Sequence, residues 1–344
     1  MAESHSPASG IRTITTGKVR ILAINNPPVN ALSAHVRAAL WQAIEDADTD
    51  PDAASVIITG TNSFIAGADV REFGKPVAFP PIRDLLARIG NMTKPVIAAV
   101  DGVALGGGFE LALACHYRIA APGAVFGLPE VNLGLLPGAG GTQRLPRIVG
   151  AKQALDLILS ARRLTAAEAL DFGIIDGVAA DPVKEAQVLA SARRSTDEMP
   201  QSSSRRAGID MGTPEFFAAK REDVARQYPG QIAPQAIVDC VEAAATLDFT
   251  AGIAFERDAF LACAASPQHK ALTYLFKAES SFKKRSGTID PQSVVRRLRS
   301  AIVSETARMV ADGLIGQESD ADVIIVREMG FPRDRGGPCF EAKN

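Results

Sequence analysis

Two glutamates and a run of glycines are the residues of this chain best suited to chemistry. Glu110 follows Gly106-Gly107-Gly108 within the mostly apolar stretch Val96 to Cys115, and Glu130 follows Pro129 in Phe126-Gly-Leu-Pro-Glu130. An ionisable group among apolar neighbours needs a partner or a task. Two carboxylates in one pocket can be driven to different pKa values, giving an acid and a base that share a water. The glycines stand between a β-branched run and an apolar helical one. They leave backbone N–H groups free at a helix start, where the dipole also favours negative charge. That suits an oxyanion or a phosphate, although no GxGxxG fingerprint and no GxxxxGK(S/T) loop is present. Alone, the glycines fit close helix packing equally well, and each glutamate fits a structural ion pair. Their spacing in the sequence does not establish that the two acids meet.

Elements able to position these residues can be read from periodicity. Along residues 1–200, short β-branched runs alternate with helical patterns. Val19–Ile24, Ser55–Gly60 and Val96–Val100 read as strands. A helix starts at the N-cap Ser33 and shows one apolar face through Val36, Leu40, Trp41 and Ile44. Another is expected at Ile82–Ile89, and Thr165-Ala-Ala-Glu168 is a capping box for a short helix ending at Gly173. The strand, strand, helix rhythm predicts a layered α/β spiral. Residues 194–212 read as a loop, followed by helices from Thr213 to about Lys284 that break at Pro229-Gly230, Pro234 and Pro267. A composition change at Arg285-Ser-Gly-Thr288 precedes an amphipathic helix carrying Val295, Leu298, Ile302, Val303, Val310 and Leu314, closed by Gly313 and Gly316.

Composition excludes several classes of function. The 37 Lys+Arg and 39 Asp+Glu leave a net charge of −2 over 344 residues, with 22% charged and 47% hydrophobic residues. That is the mixture of a folded globular chain, and it gives no reason to expect nucleic acid or a membrane as partner. Cys115, Cys240, Cys263 and Cys339 form no CxxC pair, and His5, His35, His116 and His269 form no HExxH motif. No metal is therefore expected. Val96–Cys115 has the length of a membrane span, but Asp101, Glu110 and the triple glycine interrupt it. Met1 to Lys18 lacks an apolar run of signal-peptide length, and Glu341-Ala-Lys-Asn344 is not an SKL-type address, so the expected compartment is the cytoplasm.

Three blocks carry a resemblance: Ser63-Phe-Ile-Ala-Gly-Ala-Asp-Val70, Lys94 through Glu110, and Phe126 through Pro137-Gly-Ala-Gly-Gly-Thr-Gln-Arg144. From about residue 10 to 190 the chain resembles the crotonase (enoyl-CoA hydratase/isomerase) family. The resemblance implies an α/β fold, a crotonase-like ββα spiral followed by helical C-terminal segments, and an acyl-CoA thioester substrate. It implies an oxyanion hole built from the backbone N–H groups of Ala68 and Gly107, and catalytic roles for Glu110 and Glu130. It assigns Ala66, Gly67, Arg71, Leu128 and Gly138 to substrate binding, with Arg71 near the CoA phosphates, and Gly138 and Gly140-Gly141 to the opening of the next helix. Pro28 stands where the family commonly has a lysine, which weakens the case for CoA contacts from the Asn26–Leu32 loop. The implied reaction is syn addition of water to trans-2-enoyl-CoA in fatty acid β-oxidation. Δ3,Δ2-enoyl-CoA isomerisation is a second reaction open to the same site. No cofactor is expected, CoA being part of the substrate.

Leu128 and the region Gly252–Lys284 are more similar to the hydratase part of multifunctional β-oxidation enzymes than to a stand-alone hydratase. Residues 291–340, with Ser304-Glu-Thr-Ala307, Asp320-Ala-Asp-Val-Ile-Ile-Val326 and Gly330 through Pro338, resemble the last helical portion of their 3-hydroxyacyl-CoA dehydrogenase part. No glycine fingerprint precedes them, so no NAD site and no dehydrogenase activity are expected. The expected organisation is a spiral core at 1–190, a helical extension and linker helix at 191–286, and a dehydrogenase-like remnant at 287–344. Crotonases are commonly trimers or pairs of trimers, which makes a homo-oligomer or other β-oxidation subunits the expected partners. A rival reading is an acyl-CoA-binding scaffold or assembly subunit that uses the dehydrogenase-like tail.

Overall fold

A computed structural model describes residues 2–5, 10–72, 76, 78–192, 199–204, 208–285, 290–331 and 336–343. The strands are β1 (Ala2–His5), β2 (Ile11–Thr16), β3 (Val19–Ile24), β4 (Ser55–Gly60), β5 (Val96–Val100), β6 (Val103–Leu105), β7 (Tyr117–Ala120), β8 (Val125–Gly127), β9 (Leu164–Thr165) and β10 (Gly177–Val178). Helices α1 (Ala34–Thr49), α2 (Ile82–Gly90), α3 (Gly107–Ala114), α4 (Gly141–Val149), α5 (Ala151–Ser160), α6 (Ala166–Asp171) and α7 (Pro182–Ala192) alternate with them. After these come α8 (Pro214–Gln227), α9 (Ile232–Thr246), α10 (Phe249–Ala265), α11 (Pro267–Arg285), α12 (Pro291–Ala311), α13 (Glu318–Glu328) and α14 (Pro338–Lys343).

A seven-stranded sheet runs β1-β2-β3-β4-β5-β7-β10, antiparallel across β1, β2 and β3 and parallel thereafter. A three-stranded sheet runs β6-β8-β9. Successive pairs β5/β6, β7/β8 and β9/β10 each place one strand in each sheet, and that stepping is the ββα spiral expected from the sequence. β5 is buried along its whole length, and β4 along all but its last residue, because the parallel strands are covered on both faces. Val56, Ile58, Val96 and Ala98 join the main core, whereas Ile57, Ile97 and Ala99 pack on Ala186 and Ala190 of α7. In α1 the apolar stripe Val36, Leu40 and Ile44 is fully buried. Each such aliphatic side chain contributes about 1.5–3 kcal/mol.

Several local expectations change in detail. Ser33 occupies the N-cap position of α1, but its hydroxyl makes no cap hydrogen bond. It meets His35 Nδ1 instead, and Glu72 Oε1 accepts from Ala34 N at 2.7 Å. Pro234 does not break a helix, because it lies in the first turn of α9, where its missing N–H has no intrahelical partner to lose. Thr165 and Glu168 do form the reciprocal capping box of α6. The loop expected at 194–212 and the composition change at 285–288 lie partly outside the described residues.

The chain divides into two compact units, Met1–Tyr274 and Leu275–Asn344. The division falls at Tyr274, whereas the sequence boundaries were placed at 190 and 286. In the first unit, α9 packs on α4, α5, α8 and α10, which ties the helical extension to the spiral. In the second, α12, α13 and α14 close around Thr306, Ala321, Asp322 and Cys339. Asp322 accepts from Cys339 N at 2.9 Å and Phe340 N at 3.0 Å, capping α14. Val294, Leu298, Val323 and Ile324 of this unit are exposed. No described helix is long and apolar enough to cross a membrane.

Candidate active site

The site forms where β6 passes into α3. Gly106 takes a left-handed φ of 51°, which reverses the chain and lets α3 begin at the next residue. Gly108 then brings the helix hard against the segment 63–68, since a methyl there would lie 2.2 Å from Ile65 O. Segment 63–68 is itself held by a parallel bridge, in which Leu32 N donates to Gly67 O at 2.9 Å. In that register the Ala68 N–H turns away from Leu32. A methyl on Gly107 would sit 3.5 Å from Ala68 N, and one on Gly67 would sit 3.9 Å from Gly107 N. The two turns thus bring the amides of Ala68 and Gly107 side by side. Neither N–H donates to another backbone group among the described residues.

Both glutamates belong to the same place. A methyl on Gly106 would lie 2.8 Å from Glu130 Oε1, which puts that carboxyl against the glycine turn. Glu130 Oε2 is buried with no hydrogen-bond partner among the described residues. Glu110, on the first turn of α3, is 3% exposed, and its Oε1 accepts from Ala139 N and Gly141 N, each at 2.8 Å.

A third acid, Glu256 on α10, escaped the sequence reading because Arg257 and Asp258 follow it and make it look like part of a solvated charged run. It is fully buried and accepts from Gly140 N at 2.7 Å, Thr142 N at 3.0 Å and the Thr142 hydroxyl. Glu110 and Glu256 therefore cap alternate amides at the start of α4, where the dipole favours anions. The signal that could have found it is weaker than that of Glu110 and Glu130, since apolar Ile253-Ala-Phe255 precedes Glu256 but charged Arg257-Asp258 follows it.

The environments of the three acids differ. Burial raises the Glu110 carboxyl, but the Ala139 and Gly141 amides and the Arg144 charge oppose the shift. Glu130 is driven well above the usual carboxylate range, first by burial and then by the charge of Glu110, with Glu256 adding to it. Glu256 rises to about 8 through burial and the Glu110 charge, against the pull of its Thr142 and Gly140 hydrogen bonds. Near neutral pH this ordering makes Glu110 the group better suited to ionise and Glu130 the better proton donor.

The remaining assigned residues scatter. Ala66 and Gly67 belong to the segment beside α3, and Ala66 N donates to Val29 O at 3.2 Å. Gly138 lies under the Phe260 ring, 2.5 Å from where its methyl would be. Leu128 is buried in the main core. The Arg71 side chain, 77% exposed, pairs with Asp69 at 2.7 Å and does not join the glutamates.

Residues 15–212 match the model of a family described as enoyl-CoA hydratase/isomerase. The chain is 43% identical over 293 residues to the peroxisomal bifunctional enzyme of Danio rerio, covering 83% of this chain and 40% of that protein. It is 31% identical over 343 residues to the glyoxysomal fatty acid beta-oxidation multifunctional protein MFP-a of Cucumis sativus, covering 91% and 44%. The match therefore extends into the C-terminal helices, yet the chain spans less than half the length of these relatives. Among solved structures, an enoyl-CoA hydratase from Bacillus anthracis is similar at 28% identity and a TM-score of 0.51, covering 78% of this chain and 96% of that one.

Proposed function

This chain belongs to the enoyl-CoA hydratase/isomerase family, and on that premise we propose that it adds water syn to trans-2-enoyl-CoA, giving 3-hydroxyacyl-CoA in fatty acid β-oxidation. One observation carries the proposal: two unpaired backbone amides and two buried carboxyls of different proton affinity surround one helix start. The thioester oxygen accepts from the Ala68 and Gly107 N–H groups. As water attacks C3, electron density moves to that oxygen, and the two donors stabilise the enolate. Removing one such donor costs about 10²- to 10³-fold in rate. Glu110, ionised, orients the water and takes its proton, and Glu130, protonated, delivers a proton to C2. Proton exchange between the two acids then restores the starting state. With a 3-enoyl thioester, the same enolate site and proton shuttle would perform isomerisation.

The reaction needs no cofactor beyond the CoA carried by the substrate, and the proposal includes neither an NAD site nor a dehydrogenase step. A homo-oligomer, trimeric or hexameric, and a cytoplasmic setting belong to the same reading. The two relatives' names place those proteins in peroxisomes and glyoxysomes. Loss of the conjugated-thioester absorbance of trans-2-enoyl-CoA tests the activity. Hydration by the wild type, abolished in the Glu110→Ala, Glu130→Ala double variant, is expected. A silent wild type or a fully active double variant rejects the reading. Measuring mass in solution decides the assembly.

A further inference from the structure

A cavity of about 250 Å³ opens in the first unit between α2, the end of α3, the start of α4, residues 201–203 and α10. It adjoins the active site through Ala139, which lines it and whose N–H holds Glu110. Two of its lining side chains are almost completely buried. Arg144 is 4% exposed and packs its guanidinium over the Phe249 ring at 4.7 Å. The acids nearest to it, Glu110 and Glu256, spend their hydrogen bonds on the amides of residues 139–142. Among the described residues, no side chain or carbonyl accepts from the Arg144 guanidinium.

His116 is the second. Its Nδ1 accepts from Val96 N at 3.0 Å, which places the ring proton on Nε2. Nε2 is buried and has no partner among the described residues. Burial and the neighbouring Arg118 charge hold the ring pKa down to about 4, so the ring is neutral at pH 7. The wall thus offers a charged fork and the neutral His116 ring, whose Nε2 lies just beneath the surface, with a second arginine, Arg83, the polar side chains of Asn91, Gln201, Ser202, Ser203 and Thr250, and no acidic residue. A buried donor left unpaired costs about 1–3 kcal/mol, and more when charged. Two cations with no acid lining the space beside them select an anion, and the planar guanidinium fork matches a carboxylate.

We propose that this cavity binds a small carboxylate anion, held by the Arg144 guanidinium with Arg83 as a further cation, and that a small tilt of the His116 ring brings its buried, unpartnered Nε2–H onto the anion. Since one water takes roughly 30 Å³ of liquid, the space suits a carboxylate of about two to four carbons.

Acetate is the probe. ¹³C-carboxyl acetate is titrated into the full chain at constant ionic strength, and its line broadening is followed. Saturable binding is expected, weakened about tenfold by His116→Asn, by Arg144→Met and by Arg83→Gln, as for loss of one charge-assisted or buried hydrogen bond. In His116→Asn the amide oxygen can still accept from Val96 N, and in Arg144→Met the packing on Phe249 is kept. Arg83→Gln lies on a half-exposed helix face and decides the matter if either buried variant fails to fold. No saturable binding by the wild type, or affinity unchanged across the folded variants, overturns the proposal and leaves a cavity filled by water alone.

Discussion

Glu110 and Glu130 are chemically alike and are separated by what surrounds them. Two N–H groups and a guanidinium favour charge on Glu110, whereas burial and two acidic neighbours oppose it on Glu130. If hydration needs the first ionised and the second protonated, kcat/KM should be bell-shaped in pH. The acid limb belongs to Glu110 and lies above the ordinary value of 4.5, because burial raises that group. The alkaline limb belongs to Glu130. Replacing Glu130 by Gln should cost about 10²- to 10⁴-fold in kcat and remove the alkaline limb. Glu256→Gln should move that limb to lower pH, since it deletes a negative charge that raises Glu130. Rate measurements across pH check both. The two catalytic candidates were legible because an acid inside an apolar run is conspicuous. Their proximity was not, since it depends on how the glycine turn meets residues 130–133. The unpartnered state of Arg144 and His116 was also hidden, being a property of contacts made across four elements.

Among the elements, α4 depends most on distant residues, because α3 and α10 supply the carboxyl groups that cap it. This fixes a sign for stability against pH. With its folded pKa raised to about 8 from 4.5, Glu256 keeps a proton that the unfolded chain releases, so stability should fall as pH rises between those values. The decline from this group should be on the order of a few kcal/mol, and Glu256→Gln should make the fall in urea midpoints across that range shallower, with the raised Glu110 and Glu130 keeping the remainder. Gly108→Ala should cost about 2–4 kcal/mol, since the new methyl meets the backbone oxygen of Ile65 and no rotamer relieves it. Denaturant midpoints at constant m-value measure that cost. The strands β3, β4 and β5 were legible to the residue, β3 through its alternation about Arg20 and β4 and β5 because buried parallel strands carry apolar runs. The short strands β6, β8, β9 and β10 carry too few residues for a period, and only the fold reveals them. Pro234 was misread as a breaker because tolerance of proline depends on its position from the helix start, which sequence alone does not mark.

At the scale of the molecule, every residue assigned to hydration lies in the unit that ends at Tyr274, and the second unit has its own buried centre. That centre is small and polar. Asp322 supplies both amide caps of α14, and Gly337 packs so closely on it that a methyl would approach to 2.4 Å. Asp322→Ala should therefore remove two charge-assisted hydrogen bonds and loosen α14, at a cost of about 1–3 kcal/mol confined to the second unit. Hydrogen exchange should speed up in residues 336–343 and the facing turn of α13, while amides of β4 and β5 keep their protection. The hydration rate should stay within about twofold of wild type, because none of the groups around α3 is touched. A parallel loss of activity in this variant would show that the second unit supports the site, and that the dehydrogenase-like helices do more than fold on their own.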